Sequence, residues 1–210
     1  MSKLFRYGGI AASVVLIVFG VASIVIGANG RSTVRDNLAA EQISGTPDMT
    51  PKLTSAAITE AKLKGVSAPS CSVAGQAIDT GSQARCFAQY MRIHALEATG
   101  GQVYAQMGRY LDKAGKPTDD QKLAAINPKS QQPVENPLRN VWVNETALST
   151  ALNTSYFAEN VALFSIVMGF ALLLTGIGFG VLTLGLLGSQ RRKEETDVQP
   201  VTAPGKPAVA

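Results

Sequence analysis

Two uncharged apolar runs, residues 8–28 and 161–188, constrain this chain more than any other feature in it. Each meets the ~20 apolar residues that an α-helix needs to cross a ~30 Å hydrocarbon core. One such run fits the buried core helix of a globular domain. Two of them, 21 and 28 residues long in a chain of 210, predict two membrane spans with residues 29–160 held on one side.

Basic residues set the expected orientation. Lys3 and Arg6 precede the first run, and Arg191, Arg192 and Lys193 follow the second. Lys and Arg close to a membrane end bias that end to the cytoplasm, and an even number of spans puts both termini on one side. Arg31 and Arg35 argue the other way, but Asp36 and Glu41 share their segment. Residues 31–160 hold 13 Lys/Arg and 12 Asp/Glu, close to neutrality, so nothing there attracts nucleic acid. The basic flanks suit an anionic inner leaflet. The expected layout is a cytoplasmic N-terminus (1–7), a first span (8–28), an extracytoplasmic domain (29–160), a second span (161–188) and a disordered cytoplasmic tail (189–210), in the plasma membrane. A cleaved signal peptide is the competing reading of the N-terminus, with small residues at Gly27, Ala28 and Gly30; the apolar run exceeds the usual h-region of 7–15 residues.

Both runs carry small residues every seven positions: Ser13, Gly20 and Gly27 in the first, and Ala162, Gly169, Gly176 and Thr183 in the second. Seven residues make two helical turns, so each set forms a stripe where helix backbones can approach closely. Antiparallel packing within the chain, self-association through Gly176 and Gly180, and the ordinary frequency of glycine in membrane helices all account for the pattern. Neither run has an ionisable residue, which argues against a proton or ion pathway.

Cys71 and Cys86 are the only cysteines. An even count in an oxidising compartment reads as a disulfide, and closing a 15-residue loop stabilises by roughly 3 kcal/mol on the chain-entropy model. A zinc site needs four ligands, and the chain has one histidine.

Between the runs the pattern is mainly helical. Residues 31–42 continue the first helix, with Val34 and Leu38 one turn apart. Thr50 and Pro51 open a second helix that Gly65 ends, with a shallow apolar face of Leu53, Ala56, Ala57, Ala61 and Leu63. Residues 82–99 form a central helix with Ala84, Phe87, Ala88, Met91, Ala95 and Ala98 on one face, ended by Gly100-Gly101. Residues 103–111 fit either a short strand or an irregular turn, and 112–117 a turn. Thr118-Asp119-Asp120 opens a short helix with acids at its positive end, and 127–137 is a loop. From Leu138 a helix runs into the second span, its stripe of Leu138, Val141, Glu145, Leu148, Leu152 and Tyr156 offering Leu148 and Leu152 to Val34 and Leu38. The predicted fold is mainly α: a two-helix transmembrane hairpin extended into a helical stalk, with a small disulfide-stapled helical domain.

The strings Ala77-Ile78-Asp79-Thr80-Gly81 and Arg85-Cys86-Phe87-Ala88-Gln89-Tyr90-Met91-Arg92-Ile93-His94, together with residues 20–50 and Asn153-Thr154-Ser155-Tyr156-Phe157-Ala158-Glu159, carry a resemblance. The chain resembles a family of small actinobacterial two-span membrane proteins that has no established activity, and the resemblance covers most of its length. Members often bear the designation aromatic ring-opening dioxygenase. Ring-cleaving iron enzymes hold their metal with two histidines and a carboxylate, and His94 is the only histidine here.

The residues thus predict no catalytic group, no cofactor and no metal. His94 reads as a space-filling, hydrogen-bonded residue or as a sensor of external pH. The leading functional expectation is a non-enzymatic envelope protein presenting a scaffold or interaction domain, with the lipid bilayer and another membrane or envelope protein as partners. An accessory sensor that signals through a partner is the alternative.

Overall fold

In the computed structural model the backbone of residues 3–196 and the side chains of residues 7–185 are described. Residues 197–210, most of the tail expected to lack structure, lie outside the described residues, as do the side chains of Lys3, Arg6, Arg191, Arg192 and Lys193. The chain is mainly helical: α1 (Lys3–Ala40), α2 (Pro51–Glu60), α3 (Gly81–Ala98) and α4 (Leu138–Thr196), with a 3-10 turn at Tyr104–Gln106 and two short strands, β1 (Tyr110–Leu111) and β2 (Pro117–Thr118). α1 and α4 each contain a stretch long and apolar enough to cross a membrane. The fold divides into two compact units, one holding the described residues up to Gly27 and from Phe164, the other spanning Ala28–Leu163.

The first unit consists of the apolar lengths of α1 and α4. Their outward surface is hydrophobic throughout, as at Val18, Phe19, Phe164, Val167 and Leu174. Their inward surface is made of small residues: Ser13, Gly20, Gly27, Gly169 and Gly176 are all buried. A Cβ built on Gly20 would lie 2.8 Å from the Gly169 carbonyl oxygen, and one on Gly169 would lie 2.7 Å from that of Gly20. Only glycine allows this approach. The Ser13 hydroxyl donates to the Gly176 carbonyl at 2.7 Å, so the contacts run in opposite chain order. Gly180 also faces Ser13.

The second unit is built around α3. Thr80 caps it: its hydroxyl accepts from the Gln83 N–H at 3.3 Å while the Gln83 side chain accepts from the Thr80 N–H at 3.1 Å, a reciprocal pair that satisfies two otherwise orphaned donors. At the other end Gly100 and Gly101 adopt φ of +62° and +80°, and the Gly101 N–H reaches the Leu96 carbonyl at 2.7 Å, closing the helix as expected. α3 packs on two apolar clusters. One gathers Leu38, Val73, Ile78, Ala84, Tyr90 and Leu152; the other gathers Ile58, Ile93, Leu96, Met107 and Trp142. Cys71 and Cys86 are joined by a disulfide with Cα atoms 6.2 Å apart. Beside it, fully buried Tyr90 donates its hydroxyl to the Cys71 carbonyl at 2.5 Å, and burial pushes its phenol pKa up.

Several local expectations are corrected. α2 ends at Glu60, not Gly65, because Lys62 takes the left-handed conformation at φ +54° and the Leu63 N–H closes on the Ile58 carbonyl at 3.0 Å, the geometry that usually recruits glycine. Its buried face is Thr54 and Ile58, and Leu53 is exposed. No helix begins at Thr118. Pro117 and Thr118 pair antiparallel with Leu111 and Tyr110, and the acids serve turns: Asp112 accepts from the Ala114 and Lys116 N–H groups, Asp119 from Arg109, and Asp120 from Lys122. Short acidic side chains compete for backbone donors in this way wherever the chain reverses. α3 buries Cys86, Tyr90, Ile93 and Leu96 besides Ala84, Ala88 and Ala95 of its expected face, of which Phe87 and Met91 are half-buried and Ala98 is exposed. Leu152 joins Leu38 in one core, with Val34 packed against it, but Leu148 is half exposed.

Candidate functional site

α3 and the polar length of α4 pack side by side in opposite directions. Gly81 meets Tyr156 and Glu159, Arg85 lies over the Tyr156 ring at 4.7 Å, and Arg92 lies over the Trp142 ring at 5.2 Å. The Trp142 indole N–H donates to the Gln102 carbonyl at 2.8 Å, beyond the end of α3. This alignment leaves a groove on each side of the helix pair.

One groove, about 590 Å³, is walled by Phe87 and Met91 of α3 and by Leu148 and Leu152 of α4, and is lined also by Ile43 and Met49. His94, Asn144 and Glu145 line the same groove. His94 and Asn144 follow Met91 and precede Leu148 by one helical turn, so the polar groups gather at one end. The other groove, about 540 Å³, lies between Gln89 and Arg92 of α3 and a ladder of Thr146, Ser149, Thr150, Asn153 and Thr154 on α4. Most of that ladder is committed to its own helix: Thr150, Asn153 and Thr154 each donate to the carbonyl four residues back.

Glu145 borders both grooves. It is 5% exposed, yet its carboxylate accepts only from hydroxyls of its own helix, Ser149 at 2.8 Å and Thr146 at 3.4 Å. Among the described residues no Lys, Arg or His forms an ion pair with it. Ser149 and Thr146 line only the second groove, so these bonds turn the Glu145 carboxylate toward that side.

His94 does not pair along its own helix. Its Nε2 lies 3.0 Å from Asp48 Oδ2, on the loop before α2. A hydrogen bond from the Thr46 side chain, followed by the Asp48 backbone and His94, holds the Asp48 carboxyl below its ordinary range against the opposing effect of burial.

A second acidic centre stands at the start of α3. Glu159, 9% exposed, accepts from the Gly81 N–H at 2.6 Å and from Nε of both Arg31 and Arg35 at 3.0 Å. Burial works to raise its pKa, but the Arg31 hydrogen bond, the Gly81 N–H and Arg35 outweigh it and hold the carboxyl low. The site requires Gly81: a Cβ there would sit 2.8 Å from Tyr156 Cα and 2.9 Å from Glu159 Oε2. A carboxylate at a helix N-terminus also meets the positive end of the macrodipole. This cluster fastens α1, α3 and α4 to one another within the second unit.

Among the described residues no group of three His, Cys, Asp or Glu is placed to hold a metal ion. The sequence pattern placed His94 on a helix but missed Asp48, whose loop position carries no periodic signal. It counted Glu145 within an apolar stripe without weighing the charge. Arg31 and Arg35, one turn apart, with Glu159 just ahead of the second apolar run, were the one readable sign of the α3 fastening. No family model, curated protein or solved structure matches this chain.

Proposed function

We propose that this chain is a non-enzymatic cell-envelope membrane protein, anchored by an antiparallel transmembrane hairpin and presenting residues 29–160 outside the cytoplasm as a scaffold or interaction domain. The observation that carries the reading is the contrast between the units: an exterior that is apolar along both long helices, and a disulfide joining Cys71 to Cys86. Structural disulfides persist in oxidising compartments, and a continuous apolar exterior of this length suits lipid. The resemblance to small actinobacterial two-span proteins agrees with it. His94, the sole histidine, is engaged by Asp48, which leaves a two-histidine iron site without its ligands.

The second reading, an accessory subunit that binds a ligand and acts through a partner, is favoured by the groove beside Glu145. Topology tests the shared premise. A Lys116→Cys variant should react with an impermeant maleimide added outside intact cells, and a cysteine placed in the 190–210 tail should react only after permeabilisation. The reverse pattern would overturn the assignment. A partner retained through purification in mild detergent supports the scaffold reading; a small molecule released from the pure protein supports the ligand-binding one.

A further inference from the structure

We infer that the small pocket shared by Arg31 and Arg35 of α1, Ser82 of α3 and Glu159 and Leu163 of α4 is a binding site for a phosphate group, carried by a lipid head or by a free ion. It holds about 170 Å³. That is below the ~300–1,000 Å³ of sites for drug-sized molecules and several times the ~30 Å³ share of a water molecule, a size for a compact oxyanion. Its depth rests on the membrane spans proposed for residues 8–28 and 161–188. Arg31 follows the first by three positions and Glu159 precedes the second by two. At 1.5 Å per residue these steps are about 3–5 Å, within the ~5–8 Å headgroup layer that flanks a ~30 Å hydrocarbon core.

The lining decides charge and shape. One oxygen of Glu159 accepts from Nε of both arginines, and the other accepts from the Gly81 N–H. This spends one of the five N–H donors of each guanidinium and holds the two groups against a single atom. Among the described residues neither arginine has a second partner. Asp36, beside Arg35 in the chain, accepts from Ser32 and pairs with neither. Two cations against one carboxylate leave a surplus positive charge, already oriented. The Gly81 N–H is given to Glu159, so the arginines and not the end of α3 carry the site. Ser82 adds an exposed hydroxyl with no partner among the described residues. An ammonium would meet the surplus charge unfavourably. Guanidinium forks match phosphate oxygens bidentately, and a tetrahedral phosphate has oxygens for both forks and the Ser82 hydroxyl at once, where a carboxylate has two. Leu163, also in the lining, is an apolar contact for the glycerol and first acyl carbons of a lipid.

The test uses the full chain, immobilised in dodecyl maltoside and phosphate-free buffer, with radiolabelled dioleoyl phosphatidylglycerol, dioleoylglycerol (the same lipid without its phosphate) and inorganic phosphate. Phosphatidylglycerol should bind at one saturable site, about tenfold or more tighter than dioleoylglycerol, the scale of a hydrogen bond to a charged group. Arg35→Gln should weaken phosphatidylglycerol by a similar factor. Ser82→Asp sets a carboxylate against the arginines while leaving the Glu159 bonds in place, and an acid in the first turn of a helix favours folding. It should cost phosphatidylglycerol about tenfold, leave dioleoylglycerol unchanged and not lower the thermal transition of Trp142. Inorganic phosphate that binds alone and displaces the lipid assigns the site to the free ion; phosphate that does neither, with phosphatidylglycerol bound, assigns it to the lipid head. Equal binding of the two lipids with no binding of inorganic phosphate, or binding insensitive to both substitutions, would overturn the site. Alkaline carbonate extraction reads the spans separately. A chain released from membranes would refute the spans and with them the lipid head, whereas a retained chain that fails the binding test would refute the site alone.

Discussion

The two units of this protein are held together by opposite means. In the first, cohesion comes from what is missing: at Gly20 and Gly169 the absence of a side chain brings backbone against backbone, and Ser13 adds one hydroxyl bond to Gly176. In the second, cohesion comes from what is added: a disulfide, two capped helices, a buried tryptophan and a carboxylate serving three donors. The difference follows from surface. Where the outward face is as apolar as the inward one, burial cannot choose a partner, and close backbone approach decides. Where the outward face is polar, burial selects the core and each buried polar group must find a partner.

The strongest way to break this contrast is to cut the staple. Cys86→Ser should lower the stability of the second unit by about 3 kcal/mol, the value for a 15-residue loop. Trp142, the only tryptophan, reports on that unit alone. Its fluorescence transition should move to lower temperature while a Ser13→Cys/Gly180→Cys crosslink, in a background lacking Cys71 and Cys86, still forms within one chain, since a Cβ on Gly180 lies 3.8 Å from that of Ser13. Loss of the crosslink would mean that the units do not differ as described.

Glu159→Ala removes the carboxylate that joins Gly81, Arg31 and Arg35. Its expected cost is about 1.5–3 kcal/mol, that of hydrogen bonds to a charged group. The pH dependence has a defined sign. The Glu159 carboxyl lies below its ordinary range in the folded protein, so its contribution is complete above the unfolded value of about 4.3 and is lost as pH falls through the folded pKa. Between neutral pH and pH 3 the Trp142 transition of the parent protein should fall further than that of the variant. Parallel curves would remove Glu159 from the account.

Gly169→Leu acts on the other unit. Overpacking typically costs about 1–3 kcal/mol, and here the new side chain meets backbone that cannot step aside. The same Ser13→Cys/Gly180→Cys pair should show crosslinking within the chain reduced, with the Trp142 transition unmoved. The smallest effect belongs to Thr80→Ala. Removing this cap should cost about 1 kcal/mol, seen as faster amide exchange in the first turn of α3 before any shift in Trp142. An effect as large as that of Glu159→Ala would show that the cap and the Glu159 cluster act as one unit.

Local signals were readable where one residue sufficed to produce them. Thr50 before Pro51 marks the start of α2 within a residue, and Gly100-Gly101 ends α3 because both positions need positive φ. Reading failed where a side chain had two local uses. Asp119 and Asp120 have the composition of a helix start but bond to turn amides, and Lys62 ends α2 in a conformation that Gly65 was better suited to adopt. The face of α3 was half legible, because a helix buried on two sides loses the single stripe on which periodicity depends.

By itself the sequence determined the two apolar helices, their small-residue stripes, the mainly helical interior and the pairing of two lone cysteines. These are properties of spacing and composition, written locally along the chain. Only the tertiary structure decided that His94 meets Asp48, that Glu159 receives Gly81 and two arginines, and that Glu145 is buried beside an open apolar groove. Each joins segments far apart in sequence, from 46 positions for His94 and Asp48 (94 − 48) to 128 for Arg31 and Glu159. No periodicity in one segment encodes the charge that another segment brings to it.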